Sequence, residues 1–168
     1  KPIRRADLQL AMANALAAQA PERPFRRGEP GRPGARLSGH VLLVEDNPVN
    51  RAVAQAMLAR LGVQSEAAGD GAEAVDRVRE TDFDLVLMDC QMPGMDGYQA
   101  TAAIRSLPGQ RGALLPIVAL TANALQGDEQ ACLAAGMNAF LAKPYSMAEL
   151  HSTLTGWLHS ATGELGDP

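Results

Sequence analysis

From residue 40 onward, apolar and polar positions follow two rhythms. HVLLV (40–44) is a short continuous apolar run, as in a strand covered on both faces, FDLVLMD (83–89) is a strongly apolar strand that ends on an acid, and LPIVALTA (115–122) is another strand. NAFLAK (138–143) is a further strand and VQSEAA (63–68) a weaker one. Between them lie stretches with helical spacing. In PVNRAVAQAMLARLG (48–62), Val49, Val53, Met57 and Leu61 fall four apart and line one helical face. Pro48 suits its first turn and Gly62 its stop. DGAEAVDRVRET (70–81), DGYQATAAIRSL (96–107), LQGDEQACLAAG (125–136) and SMAELHSTLTGWLHS (146–160) are the other helices. Five strands, each followed by a helix, predict an α/β fold with a parallel sheet and helices on both faces.

Before residue 40 the rhythm breaks. Residues 20–39 hold four Pro and four Gly, which excludes a helix or a central strand and reads as a linker. Residues 1–19 form one more amphipathic segment, with Leu8, Met12 and Leu16 in a stripe. The expected division is a 1–19 helix, a 20–39 linker, a 40–159 domain and a 160–168 tail.

Charge sharpens this division. The net charge of -4 combines a basic N-terminal part with seven basic and 16 acidic residues in 40–168, or -9 for the main domain. Such a domain is a poor binder of a nucleic acid backbone. No apolar run approaches the roughly 20 residues that span a bilayer, and no secretory signal pattern is present. Cys90 and Cys132 form no CxxC pair, which fits a reduced, cytoplasmic setting. His40, His151 and His159 stand alone, Cys90 suits a buried thiol, and Met88, Met92 and Met95 suit packing.

Parallel α/β sheets bind ligands beyond the carboxyl ends of their strands. Those ends carry Glu45-Asp46, Asp89, Thr121 and Lys143-Pro144. Three converging carboxylates repel one another, and a divalent cation resolves the conflict. An all-oxygen set suits Mg²⁺, which leaves room for a phosphoryl group. Asp89, at the end of the central and most apolar strand, is the candidate nucleophile, and Asp46 the direct metal ligand with Glu45 assisting. Lys143 would balance the phosphoryl charge and Thr121 donate to it. Taken singly, Asp46 also fits a helix cap, Asp89 a turn, Thr121 a strand-end hydroxyl and Lys143 a surface charge. Together, at the ends of alternating strands, they point to one site.

The segments LLVEDNPVN, LVLMDCQMPGMDG, IVALTA and FLAKP, in this order, resemble the response-regulator receiver domains. The resemblance covers residues 40–159. It implies a flavodoxin-like sheet with strand order 2-1-3-4-5. It makes Asp89 the phosphoacceptor, Glu45 and Asp46 the acidic pair, and the Gln91 backbone carbonyl a further ligand of Mg²⁺. Thr121 matches the switch hydroxyl, Lys143 the phosphoryl-pairing lysine and Phe140 the mobile aromatic, and the Lys143–Pro144 bond resembles one that is usually cis. The implied partner carries a phosphohistidine, on a kinase dimerisation domain or a histidine phosphotransfer protein. The surface that answers phosphorylation would span roughly 125–158, a possible homodimer contact along with the N-terminal helix.

The opening KPIRRADLQLAMANAL is similar to KPYSMAELHSTLTGWL (143–158), and so resembles the tail of a preceding receiver. Tandem receivers of this style resemble hybrid sensor histidine kinases, whose parent chain can be membrane-anchored. The chain holds no kinase domain, and its own role as an enzyme extends only to assisting its phosphorylation and dephosphorylation. The alternatives are a stand-alone response regulator, a binding-only pseudo-receiver, and a haloacid-dehalogenase-type phosphatase. The last wants a second Asp two residues after the nucleophile, where this chain has Gln91.

Overall fold

A computed structural model describes residues 36–122 and 126–160. The expected 1–19 helix, most of the 20–39 linker and the tail from 161 lie outside the described residues. The elements are β1 (Leu37–Ser38), β2 (His40–Val44), α1 (Pro48–Arg60), β3 (Gln64–Ala68), α2 (Gly71–Glu80), β4 (Leu85–Asp89), α3 (Gly97–Arg105), α4 (Gln110–Leu114), β5 (Ile117–Thr121), α5 (Gln126–Ala135), β6 (Ala139–Ala142), α6 (Met147–Thr155) and β7 (His159–Ser160).

The main sheet has five parallel strands in the order β3-β2-β4-β5-β6. Counted among these five alone, this is the expected 2-1-3-4-5. Side chains alternate across it, as the pleat requires. Val41, Leu43, Leu85, Leu87, Val118 and Leu120 meet Ala54 and Leu58 of α1 and Leu150 and Leu154 of α6. Leu42, Val44, Val86, Met88, Ile117 and Ala119 meet α2, α3 and α5 on the opposite face. Burial on both faces explains why β2, β4 and β5 read as unbroken apolar runs.

Three features depart from the sequence reading. First, the apolar stripe of α1 does not all face the core. Ala54 and Leu58 are buried there, whereas Val49 and Val53 are 69% and 56% exposed. Second, Leu37 and Ser38, placed in the linker by their neighbours, pair antiparallel with His159 and Ser160. Leu37 is buried and its N–H donates to the Leu61 carbonyl at 2.9 Å, so the packed unit begins before residue 40. Third, the last helix stops at Thr155 rather than continuing to 160, because Gly156 caps it and the chain turns so that Leu158 re-enters the core. No helix among the described residues is long and apolar enough to cross a membrane.

Helix starts are set locally. Asp70, Asp96 and Ser146 each accept from a backbone N–H of the first turn, and Asp96/Gln99 and Ser146/Glu149 complete capping boxes. The short α4, not foreseen, is tied down by Arg105. Its guanidinium donates to the carbonyls of Gly112, Leu115 and Gly136 and to Asn138 Oδ1. Burial lowers its pKa to about 10. Replacing Arg105 with Met keeps the stem but orphans these acceptors, so Arg105→Met should cost about 2–4 kcal/mol. A urea midpoint matching the parent chain would refute this.

Candidate functional site

The strand order reverses at β2. Chain from β2 leads to β3 on one side and, after α2, to β4 on the other, which leaves a crevice between the carboxyl ends of β2 and β4. Glu45 and Asp46 follow β2, and Asp89 closes β4. Their carboxylate oxygens lie within 4.8 Å of one another. Glu45 and Asp89 are 3% and 5% exposed, and Asp46 is the most accessible of the three. Asp46 is not the helix cap, since Asn47 accepts from the N–H groups of Val49 and Asn50. The sequence therefore leaves Asp46 uncommitted to the helix.

Lys143 arrives from the end of β6, ahead of the cis Lys143–Pro144 bond. Its Nζ lies 2.6 Å from Glu45 Oε2 and 3.0 Å from Asp89 Oδ2, so one ammonium bridges both buried carboxylates. Burial works against the Lys143 charge, but the hydrogen bonds to Glu45 and Asp89 prevail and hold it above its usual pKa. Burial pushes the Asp89 carboxyl above its ordinary range, against the pull of the Gln91 N–H and Lys143. The Gln91 N–H donates to Asp89 Oδ1 at 3.1 Å and fixes the turn that follows β4. Thr121 ends β5, is 5% exposed, and its carbonyl accepts from the Lys143 N–H at 2.7 Å. The hydroxyl-bearing and lysine-bearing strand ends are thus neighbours. Phe140 lies in β6 and packs, half-buried, against the core face that carries α5.

Six of the seven residues singled out from the sequence therefore lie in or beside the C-terminal edge of the sheet, while Phe140 sits inside β6, paired with Ala119. The sequence reading missed the groups that hold Glu45. The N–H of Asn47 and Nδ2 of Asn50 approach Glu45 Oε1 at 3.3 and 3.4 Å, and Arg51 donates to the Glu45 carbonyl at 3.2 Å. The signal was present in VEDNPVNR, where polar residues occupy the first helical turn directly after the acidic pair. Tyr145 was also missed. With Asn50, Val53, Met57 and Pro144 it lines a hollow of about 320 Å³ that opens beside Glu45 and Lys143.

Chemically, the arrangement offers an oxygen-only pocket with an excess of negative charge, an accessible carboxylate in Asp46, and one cation already paired. A hard divalent ion fits such donors, and no thiol or imidazole belongs to the set.

The comparisons agree with this geometry. The family described as response regulator receiver domain matches residues 41–155. The sensor protein GacS of Pseudomonas syringae pv. syringae is 40% identical over 158 residues, which are 94% of this chain but only 17% of that protein. The receiver domain of sensor histidine kinase PA1611 from Pseudomonas aeruginosa PAO1, crystallised with a magnesium ion coordinated in its active site cleft, is 50% identical. It superposes with a TM-score of 0.66 over 71% of this chain and 97% of that one. The receiver domain of Saccharomyces cerevisiae Ssk1, crystallised with the histidine phosphotransfer protein Ypd1, is 33% identical, with a TM-score of 0.69 over 74% of this chain and 91% of that one. Fold, strand-end chemistry and sequence thus meet in one conclusion: this chain belongs to the response regulator receiver domain family.

Proposed function

We propose that this chain is the phosphoacceptor module of a phosphorelay, taking a phosphoryl group from a partner's phosphohistidine onto Asp89. The observation that carries the reading is the buried Asp89 carboxylate, held by Lys143 on one side and the Gln91 N–H on the other. The Asp89 oxygen attacks phosphorus in line, the P–N bond breaks, and the histidine, already protonated on its other ring nitrogen, leaves as neutral imidazole. Lys143 stays within reach of the incoming phosphoryl oxygens and offsets their charge, while Gln91 holds the carboxylate orientation. Glu45, Asp46, Asp89 and the Gln91 carbonyl would hold Mg²⁺, which when bound neutralises phosphoryl charge. The Thr121 hydroxyl then pairs with the acyl phosphate, Phe140 turns inward, and the surface formed by α5, β6 and α6 changes.

The chain spans less than a fifth of the first curated relatives it matches. A hybrid histidine kinase, working at the cytoplasmic side, is the parent we infer. The basic residues 1–35 fit the end of a preceding receiver and a linker.

Incubation with Mg²⁺ and acetyl phosphate tests this directly. Intact mass should rise by one phosphoryl group, about 80 Da, and Asp89→Asn should show no gain. A gain that survives in Asp89→Asn would refute the site.

Val49 and Val53 give the partner its footing. Both are exposed apolar side chains of α1, and Val53 lines the Glu45–Lys143 hollow, which the partner must approach to deliver phosphate. Val53→Asp should slow transfer from a phosphohistidine protein about tenfold, a loss of roughly 1.4 kcal/mol. Phosphorylation by acetyl phosphate should be unchanged. Equal slowing with both donors would mean that Val53 supports the fold rather than the docking.

A further inference from the structure

At the amino edge of the sheet, opposite Asp89, lies a hollow of about 550 Å³. Its apolar wall is built by Phe83, Leu114, Leu115, Pro116, Trp157 and Leu158. Leu114 is 46% exposed and Trp157 half-buried, so the wall offers apolar surface that the described fold leaves uncovered. Binding pockets span roughly 300–1,000 Å³, so the hollow is large enough to take an aromatic ring with its neighbours. The lining also includes Asp82 and Asp84, both exposed, and Arg111, whose Nε lies 2.6 Å from Asp82 Oδ1. Two acids against one arginine leave an excess of one negative charge. The proposed phosphoryl transfer uses none of these residues.

The chain itself brings an occupant to this place. Ser38 and Gly39 are part of the wall, so the residues before them lead away from the hollow's own rim. Between residues 20 and 36 the single large apolar side chain is Phe25, set in RPFRR (23–27) with three arginines and no acid. An aromatic ring among arginines matches an apolar hollow with an acidic excess, and these are the residue types that anchor interfaces. Ten residues separate Phe25 from Arg36. Extended, they reach roughly 33 Å, more than enough to return to the rim. Pro30-Gly31 and Pro33-Gly34 are turn signals that let the chain double back.

We propose that residues 23–27 of this chain dock in the hollow, with the Phe25 ring against Trp157 and Leu114 and the arginines toward Asp82 and Asp84. A tether this short holds the segment at an effective concentration on the order of millimolar. That favours the same chain over a second copy and lets a single aromatic anchor suffice. Docking brings residues 1–22 to the amino edge of the sheet and leaves the Asp89 edge open. The inference does not rest on the proposed function.

Trp157 is the sole tryptophan, so its fluorescence reports on the hollow directly. Acrylamide quenching is measured on the full chain, as the parent and as Phe25→Ala, Leu114→Ser and the double variant, each with the parent's circular dichroism. An aromatic ring stacked on the indole shields one of its two faces, so Phe25→Ala should be quenched about twofold faster than the parent. Leu114→Ser should be quenched faster as well, and the double variant no faster than Phe25→Ala, because both changes remove one shared contact. Arg26→Glu with Arg27→Glu should also speed quenching, since the segment would then meet like charge. Phe25→Ala quenched at the parent's rate overturns the docking, and so do fully additive effects of Phe25→Ala and Leu114→Ser. Parent quenching that rises on dilution would mean that a second copy's segment fills the hollow, and would overturn the same-chain arrangement.

Discussion

Lys143→Ala should accept phosphate about 100-fold more slowly than the parent chain, yet bind Mg²⁺ more tightly. The first half follows from charge at the transition state. Lys143 Nζ lies 3.0 Å from Oδ2 of Asp89, the proposed phosphoacceptor, so it is a preorganised cation beside the carboxylate proposed to react. Losing one such donor in a water-poor site costs about 100- to 1,000-fold. The second half follows from competition. Lys143 now neutralises Glu45 and Asp89, the same carboxylates that would bind the metal. Removing a unit charge a few ångströms away should raise Mg²⁺ affinity about tenfold at the effective dielectric of a partly buried site. The chain should also lose about 3 kcal/mol without metal, since Glu45 and Asp89 would be left buried and uncompensated. Added Mg²⁺ should restore part of that loss. Phosphorylation time courses by mass and calorimetric Mg²⁺ titration check both halves. Weaker Mg²⁺ binding would show that Lys143 shapes the pocket rather than competing for it.

The legible part of this molecule is the part where one physical rule acts alone. β2, β4 and β5 are buried on both faces, so their apolar runs admit no other reading, and the polar residues ending those runs mark the site. Asp89, Thr121 and Lys143 could be placed at one edge because a parallel sheet carries all its strand ends the same way. What stayed hidden depends on contacts that leave no periodic trace. β1 and β7 are two residues each, too short for any rhythm, and Leu37 joins the core cluster where its N–H meets the Leu61 carbonyl at the end of α1. Val49 and Val53 keep the helical period but point to solvent, because in the first turns of α1 only the face bearing Ala54 meets the sheet. Periodicity fixes that a face exists and not which neighbour it meets. Asn50 and Arg51 read as ordinary polar helix residues until the fold brings Glu45 beneath them.

Gly97→Ala should cost about 3 kcal/mol or more and slow phosphorylation, whereas Gly94→Ala should cost about 1 kcal/mol and leave it nearly intact. The two glycines are present for different reasons. Gly94 has φ +79 with nothing within 4 Å of an added Cβ, so Ala there meets backbone strain and no obstacle. Gly97 has an ordinary backbone, but its Cβ would overlap the carbonyl of Asp89 and sit 2.9 Å from Cys90 Cα. Both obstacles are main chain, so no side chain can swing aside. The first turn of α3 must lift or the end of β4 must yield, and either breaks the bond from the Gly97 N–H to the Cys90 carbonyl. Lifting α3 also strains the capping box of Asp96 and Gln99. Yielding at β4 displaces the carboxylate that Gln91 and Lys143 hold. Urea unfolding and acetyl phosphate time courses on the two variants separate space from conformation. Equal losses in both would mean that the crowding at Gly97 is relieved without displacing β4, and that α3 does not set the position of Asp89.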